Sequence, residues 1–393
     1  MKLAPIHPFP ARMASEIAIE HLRGLPRTAL VADPMCGSGT VLRTCAEMGI
    51  HAVGCDLDPL AVLMSRVWTR PLARSRIELY LKDFLKRYSS LSSEDIYLPW
   101  IDDCVETKAF IELWFEEKQK QSLRKLAWLL FPAVGPIADL LRVALSGIII
   151  TKERGASIAR DTSHSRPHRW FIGNDYDVIK GFQDQTKRVT ARLASDTILA
   201  RSLVKRADAR RLDHMGDGEI DLILTSPPYL NMIDYMRGHR LALVWLGYSI
   251  GTLRNIRSKG IGSEIRASES SALTEKWLGI AADGAEALSS REYGMLQRYA
   301  SDLSVSLAEQ TRILKPGGKL VSVVGNSRLR GVYIENSTLT RLAAVNSGLR
   351  LRSSVTRELP EASRYLPISS KIGTPGSLNK RMREEVVMTF AKH

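Results

Sequence analysis

The sequence predicts an α/β protein, a doubly wound sheet interrupted by an inserted, mainly helical subdomain. Three observations carry this expectation. Apolar residues 30–31 form a short strand that runs straight into DPMCGSGT (33–40), and helical spacing resumes over 41–48. A second short strand, 51–55, ends in DLDP. Further on, strand 221–224 ends in TSPPY (225–229). Strand, glycine turn, helix, strand is how a parallel, doubly wound sheet opens.

Taken in order, a proline-rich start leads into a helix over 14–23, then the strand, turn, helix and strand just described. From 77 to 199 the periodicity is mainly helical, with Phe110, Leu113, Trp114, Leu123, Leu126 and Leu130 recurring at mixed threes and fours and no strand pattern. The α/β pattern returns at 202–205, which leads into ADARRL, and at 221–224. A helical, loop-rich stretch from 236 to about 290 precedes a helix over 299–314. KPGG at 315–318 signals a turn, and 319–324 is a core strand. Segments 358–367 and 385–390 are expected to supply the last strands. The chain thus divides into 1–75, a helical insertion 76–200, and 201–393.

The 393 residues suffice for a sizeable core in one large domain or two to three smaller ones. With 44% apolar and 25% charged residues, disordered, collagen-like and coiled-coil classes are excluded. An excess of 56 Lys and Arg over 42 Asp and Glu leaves a net charge of +14, which suggests a polyanionic partner, against the competing reading of a merely basic, solvated surface. Cys36, Cys45, Cys55 and Cys104 form no CxxC pair and have no His-rich companion, so no metal site is expected and a reducing compartment fits. MKLAPIHPFPARM lacks the apolar run of a secretory signal. The most apolar stretch, 126–150, is broken by Pro132, Pro136, Asp139 and Arg142 and reads as buried helices instead of a membrane span. A cytoplasmic protein is expected.

In the turn formed by Asp33, Pro34, Met35, Cys36, Gly37, Ser38, Gly39 and Thr40, glycines after a strand let backbone approach a ligand, and the following helix offers free N–H groups. Glycine also occurs in such turns for steric reasons alone. The turn lacks the third glycine of a dinucleotide fingerprint and the Gly-Lys-Ser/Thr of a P-loop, which disfavours a nicotinamide cofactor and ATP. Asp56 lies 19 positions after Gly37, a spacing suited to a carboxylate that accepts from ribose hydroxyls, although DLDP also resembles a helix start with Asp56 as its N-cap. TSPPY sits at the carboxyl end of a strand. Its two prolines fix the backbone and leave carbonyls that can only accept, with Tyr229 beside them. Such a cluster suits the exocyclic amino group of a base; the plain alternative is a proline-rich turn.

DPMCGSGT, GCDLDP and TSPPY in this order, with HPFPARM (7–13) ahead of them, resemble the S-adenosylmethionine-dependent methyltransferases that modify DNA at cytosine N4 or adenine N6. The likeness covers 1–70 and 200–330, and ELPEASRYLP (358–367) is also familiar. It implies a Rossmann-like methyltransferase sheet, S-adenosyl-L-methionine as cofactor and double-stranded DNA as partner, with a cognate restriction endonuclease as a further partner to test. It implies that Asp33, Met35, Cys36, Gly37, Ser38, Gly39 and Thr40 line the cofactor's methionine end, that Phe9 and Pro10 cover it, that Asp56 and Leu57 hold the ribose, and that Asp208 and Ala209 face the adenine. Ser226 and the carbonyl of Pro227 would accept from the target amino group, Pro228 would stiffen the turn, and Tyr229 would stack on the flipped base. Ser226 in place of Asp leans toward cytosine N4.

Direct transfer needs no covalent intermediate. A C5 enzyme needs a cysteine nucleophile, and the chain contains no Pro-Cys dipeptide. Two basic segments compete for target recognition: the loop 157–170, with Arg160, Arg166, His168 and Arg169, and the stretch 237–266, with Arg237, Arg240 and Arg257. Either could instead be a solvated face. The rival readings are an adenine-N6 DNA methyltransferase, an RNA base methyltransferase, and a non-catalytic nucleic-acid-binding module.

Overall fold

The computed structural model describes residues 4–9, 12–92, 94–151, 154–160, 168–169, 173–194, 198–230, 235–263, 271–359 and 384–393. Helix α1 (Ser15–Leu22) leads into β1 (Leu30–Asp33), α2 (Thr40–Met48), β2 (His51–Asp56) and α3 (Pro59–Trp68). A helical layer follows: α4 (Arg74–Ser90), α5 (Pro99–Asp102), α6 (Val105–Trp114), α7 (Glu117–Leu130) and α8 (Pro136–Ile149), then the two-residue strands β3 (Ala159–Arg160) and β4 (His168–Arg169), then α9 (Val178–Ala194). Strands β5 (Ser202–Arg206) and β6 (Ile220–Thr225) resume the sheet. After α10 (Tyr235–Leu243), α11 (Ile250–Ser258), α12 (Ala272–Ala281) and α13 (Ser290–Ile313) come β7 (Leu314–Val324), β8 (Ser327–Leu329), β9 (Val332–Ile334), α14 (Asn336–Asn346), β10 (Leu349–Glu358) and β11 (Glu384–Lys392).

The seven-stranded sheet runs β10-β11-β7-β6-β1-β2-β5. Strands β1, β2, β5, β6 and β7 pair in parallel, while β11 is antiparallel to both β7 and β10. The chain winds outward from β1 through β2 to β5, then crosses back to lay β6 on the other side of β1, with Val31 opposite Leu222 and Ala32 opposite Ile223. This reversal makes the β1/β6 boundary the topological switch point, where the carboxyl ends of the strands open a crevice for ligands.

Both faces of the central strands are covered, which explains why they read as continuous apolar runs instead of alternating ones. Val31, Leu222, Leu224, Val321 and Val323 pack with α1 and α2 on one face. Ala32, Ile223, Leu320 and Val324 pack with α12, α13 and α14 on the other. The helical layer has its own core, in which Phe84, Leu123, Leu126 and Phe182 join Leu60, Met64 and Trp68 of α3 and Leu241 and Trp245 from the far side of TSPPY. The inserted helices are therefore packed onto elements from both flanking segments.

Four local expectations need correction. The 77–199 stretch is not strand-free, because β3 and β4 pair as a small hairpin, Ala159 with Arg169 and Arg160 with His168. Helix α13 starts well before residue 299: the Ser289 hydroxyl accepts from the Glu292 N–H, and the Glu292 carboxylate accepts from the Ser289 N–H, so a capping box sets the start. KPGG does not precede the strand but bulges from within it, since Leu314 pairs with Ile220 and Lys319 already pairs with Leu222. Finally, the strand beside β11 is β10, which ends at Glu358; residues 360–383, and with them most of ELPEASRYLP, lie outside the described residues.

Candidate active site at the switch point

The glycine turn closes over β1 because two of its residues adopt backbone open to glycine, with φ of 49° at Gly37 and 89° at Gly39. Both are also crowded. A Cβ on Gly37 would stand 3.0 Å from the Phe9 ring, and one on Gly39 would stand 2.7 Å from Ser65 Oγ and 3.0 Å from Ser65 Cα. Ser65 Oγ donates to the Gly37 carbonyl (2.8 Å), and the Gly39 N–H donates to the Cys36 carbonyl (2.8 Å). Buried Cys36 lies with its Sγ 3.5 Å from Ser65 Oγ.

Asp33, 3% exposed, accepts at Oδ1 from Thr225 Oγ1 (2.8 Å) and from the Met35 N–H (3.3 Å). Burial pushes its carboxyl up to about 7, against the lowering effect of these two bonds. Asp56 does not cap α3. Its Oδ2 accepts from the Gly37 N–H and its Oδ1 from the Asp58 N–H, both at 2.9 Å. Asp58 is the N-cap, accepting from the Leu60 N–H at 2.9 Å. Burial, with the nearby charge of Asp58, raises the Asp56 carboxyl to about 6. Thr40 opens α2, and the Leu57 carbonyl accepts from Arg206 Nε (3.2 Å).

At the end of β5 the Ala207 N–H donates to the Asp56 carbonyl (3.2 Å), which brings Asp208 and buried Ala209 beside β2. The Arg210 guanidinium grips the Asp208 carboxylate through Nε (3.0 Å) and a terminal nitrogen (2.6 Å) and continues to Asp302 (2.6 Å). Although burial opposes it, this fork holds the Asp208 carboxyl below its ordinary value.

In TSPPY, Ser226 Oγ donates its hydrogen to the Val323 carbonyl of β7 (2.9 Å) and lies 3.3 Å from the Tyr229 hydroxyl. Fully buried Tyr299 of α13 donates from its hydroxyl to the Pro228 carbonyl (3.2 Å). Pro227 is buried, and half-buried Tyr229 packs on the sheet's core. A hydroxyl whose hydrogen is committed to a carbonyl presents only lone pairs to a newcomer.

The structure therefore gathers the turn from Asp33 to Thr40, Asp56, Asp208 and the TSPPY segment along the carboxyl ends of β1, β2, β5 and β6. Phe9 joins them from the start of the chain, with its ring 5.6 Å from that of His239 on α10. Pro10 and Arg166 lie outside the described residues. Of the remaining basic residues, His168 and Arg169 are exposed on the β4 hairpin, and Arg160 is half-buried on β3. Arg237 and Arg257 are exposed on α10 and α11, whereas Arg240 lies over the Phe110 ring, 5.1 Å from its centroid. Ile149 and Ile150, at the end of α8, share a small cavity with Gly238 and His239 of α10. A surface pocket lined by Lys319, Arg352 and Lys392 lies elsewhere, at the amino ends of the parallel strands.

Sequence reasoning missed Ser65, His239, Arg210 and Tyr299. Ser65 left a faint signal, a serine within the apolar run PLAVLMSRVW. Arg210 lies in ADARRL itself, two residues after Asp208, whereas His239 and Tyr299 are placed by helices distant in sequence and left none.

Among the described residues no cluster of His, Cys, Asp and Glu could hold a metal ion, and no helix is long and apolar enough to cross a membrane. No family model matches the chain. It is 23% identical over 98% of its length, and 90% of the relative's, to the Type II methyltransferase M.MvaI of Kocuria varians. It is 21% identical over 83% of its length, and 74% of the relative's, to M.BsoBI of Geobacillus stearothermophilus, also named a Type II methyltransferase. A solved putative DNA modification methylase from Thermus thermophilus aligns over 47% of this chain and 50% of its own at 18% identity and a TM-score of 0.24. Built on a doubly wound, Rossmann-like sheet, the chain is a distant homologue of the Type II methyltransferases.

Proposed function

We propose that the protein is a site-specific DNA methyltransferase that uses S-adenosyl-L-methionine and methylates the exocyclic N4 of cytosine by direct transfer, after flipping the base from the duplex. The observation that carries this reading is the commitment of the Ser226 hydrogen to the Val323 carbonyl. Beside it stands the rigid Pro227-Pro228 pair, at the switch point and hydrogen-bonded through Thr225 to the glycine turn. The names of the distant relatives support the coarser part of it, a Type II methyltransferase.

The residues present suit the cofactor. Buried Ser38 Oγ has no hydrogen-bond partner in the turn, and an unsatisfied buried hydroxyl there is what a polar ligand would complete. Bare Gly37 lies beneath the Phe9 ring. S-adenosylmethionine supplies an electrophilic methyl group when bound. Asp33 and residues 35–40 hold its methionine end, Phe9 and Pro10 cover it, Asp56 with Leu57 holds the ribose, and Asp208 with Ala209 faces the adenine. Ser226 Oγ and the Pro227 carbonyl would accept the two amino hydrogens and turn the nitrogen lone pair out of ring conjugation; as the N–CH3 bond forms, the methyl–sulfonium bond breaks and one amino proton is lost to water. Tyr229 stacks on the extruded base and offsets part of the few kcal/mol that flipping costs. The helical segment 76–200 and α10–α11 meet the DNA through Arg160, Arg166, His168, Arg169, Arg237, Arg240 and Arg257.

Incubation with labelled S-adenosylmethionine and mixed-sequence DNA, followed by nucleoside mass spectrometry, tests this. N4-methylcytosine is the expected product. N6-methyladenine would move the target base to adenine, and absence of any methylated nucleoside would overturn the reading.

A further inference from the structure

His239 of α10 touches the turn region at two points. Its Nδ1 lies 2.5 Å from Asp58 Oδ2, and its ring stands 5.6 Å from that of Phe9. Only 6% of His239 and 7% of Asp58 is exposed, so the bond is shielded from water. Against the cost of burial, the contact with His239 holds the Asp58 carboxyl below its ordinary value, and a carboxylate can only accept, so Nδ1–H is the donor.

Asp58 connects this contact to the ligand-facing residues. Its other oxygen caps α3 through the Leu60 N–H, while its own N–H donates to Asp56 Oδ1. Asp56 Oδ2 in turn takes the Gly37 N–H, and Gly37 lies under Phe9. The circuit therefore runs from His239 through Asp58 and Asp56 to Gly37 and returns through Phe9. It ties α10, the helix that follows TSPPY, to both loops assigned to the cofactor.

On the functional reading above, we propose that His239 is a positioning residue that holds the Asp56 loop and the Phe9 cover in their cofactor-binding arrangement and couples them to the helix behind the target-base motif. His239 touches neither reacting atom; it acts through Asp58 and Phe9. A buried hydrogen bond to a charged group is stronger than one between neutral groups. Loss of that positioning should therefore weaken cofactor binding by about 10-fold or more.

The test measures S-adenosylmethionine affinity by calorimetry, methyl transfer to DNA, and thermal unfolding for the full chain and three variants. His239→Ala should weaken cofactor binding about 10-fold. His239→Asn, which keeps an N–H donor near the position of Nδ1, should restore most of it. Asp58→Asn, which keeps the cap oxygen, should weaken binding in the same direction and holds the inference open to refutation if His239→Ala does not fold. Unchanged cofactor affinity in folded His239→Ala or in Asp58→Asn would overturn the inference, and so would equal impairment by Ala and Asn, the mark of packing alone. Wild-type protein that binds no S-adenosylmethionine would overturn the functional reading itself, and with it this one.

Discussion

Thr225 Oγ1 lies 2.8 Å from Asp33 Oδ1, so the last residue of β6 is hydrogen-bonded to the last residue of β1 across the switch point. The glycine turn and TSPPY are thus one hydrogen-bonded unit, although 192 residues separate these partners. Thr225→Val keeps the shape and deletes the donor. It should cost about 1–3 kcal/mol of stability, because a buried carboxyl loses a partner. Urea denaturation of the two proteins measures the difference.

The same carboxyl makes stability depend on pH. Asp33 is raised from 3.8 to about 7 in the folded protein, so the protonated form is the one favoured by folding. Its contribution is complete below about pH 4 and is lost as pH rises through about 7. Both hydrogen bonds to Asp33 enter Oδ1, which asparagine retains. Asp33→Asn should therefore fold and should flatten the fall in stability between pH 4 and 7. Asp56, raised to about 6, contributes with the same sign in both proteins, so the difference between them isolates Asp33. Denaturation curves at pH 4.5 and 8 that change equally in the two proteins would refute the assignment.

Ser226→Ala and Tyr299→Phe separate acceptor from support. Ser226→Ala removes the acceptor itself and should lower kcat about 10- to 100-fold while leaving cofactor affinity within a factor of about two. Tyr299→Phe removes only the donor to the Pro228 carbonyl, and its effect on kcat should be smaller but also confined to transfer. Single-turnover methylation together with cofactor calorimetry distinguishes them. A Ser226→Ala enzyme with wild-type turnover would refute the acceptor role.

Gly39→Ala tests the turn. At φ of 89° a side chain is strained, and the new Cβ would meet Ser65 Cα at 3.0 Å, a backbone atom that cannot swing aside. The variant should lose roughly 2 kcal/mol or more of stability. On the proposed function its cofactor binding should fall in parallel. Gly135→Ala, where nothing lies within 4 Å, serves as a control that carries the backbone penalty without the collision.

The net charge of +14 bears on DNA binding through counterion release. Affinity for duplex DNA should fall steeply with salt, and Arg169→Ala or Arg237→Ala should each reduce the logarithmic slope by about one, as expected for a single phosphate contact. Fluorescence anisotropy over a salt series reads this directly. A slope unchanged by either variant would mean that these arginines make no phosphate contact.

The strands and turns around the site were legible in the chain because local rules dictate them. Residues 30–31 before DPMCGSGT read as a strand entering a glycine turn, and the observed β1 and α2 follow that pattern. Doubly covered strands such as β6 show themselves as apolar runs, since neither face meets water. What remained hidden is what neighbours across the fold decide. Whether Asp56 or Asp58 caps α3 depends on which one the Gly37 N–H and the His239 ring claim. The Arg210 guanidinium that grips Asp208 two residues away is also held by Asp302, which α13 brings from far along the chain. The serine of TSPPY is made an acceptor by a carbonyl on β7, far along the chain. Short-range geometry wrote the motifs into the sequence; charge state and the direction of each hydrogen bond arise only when burial removes water and distant elements supply the partners.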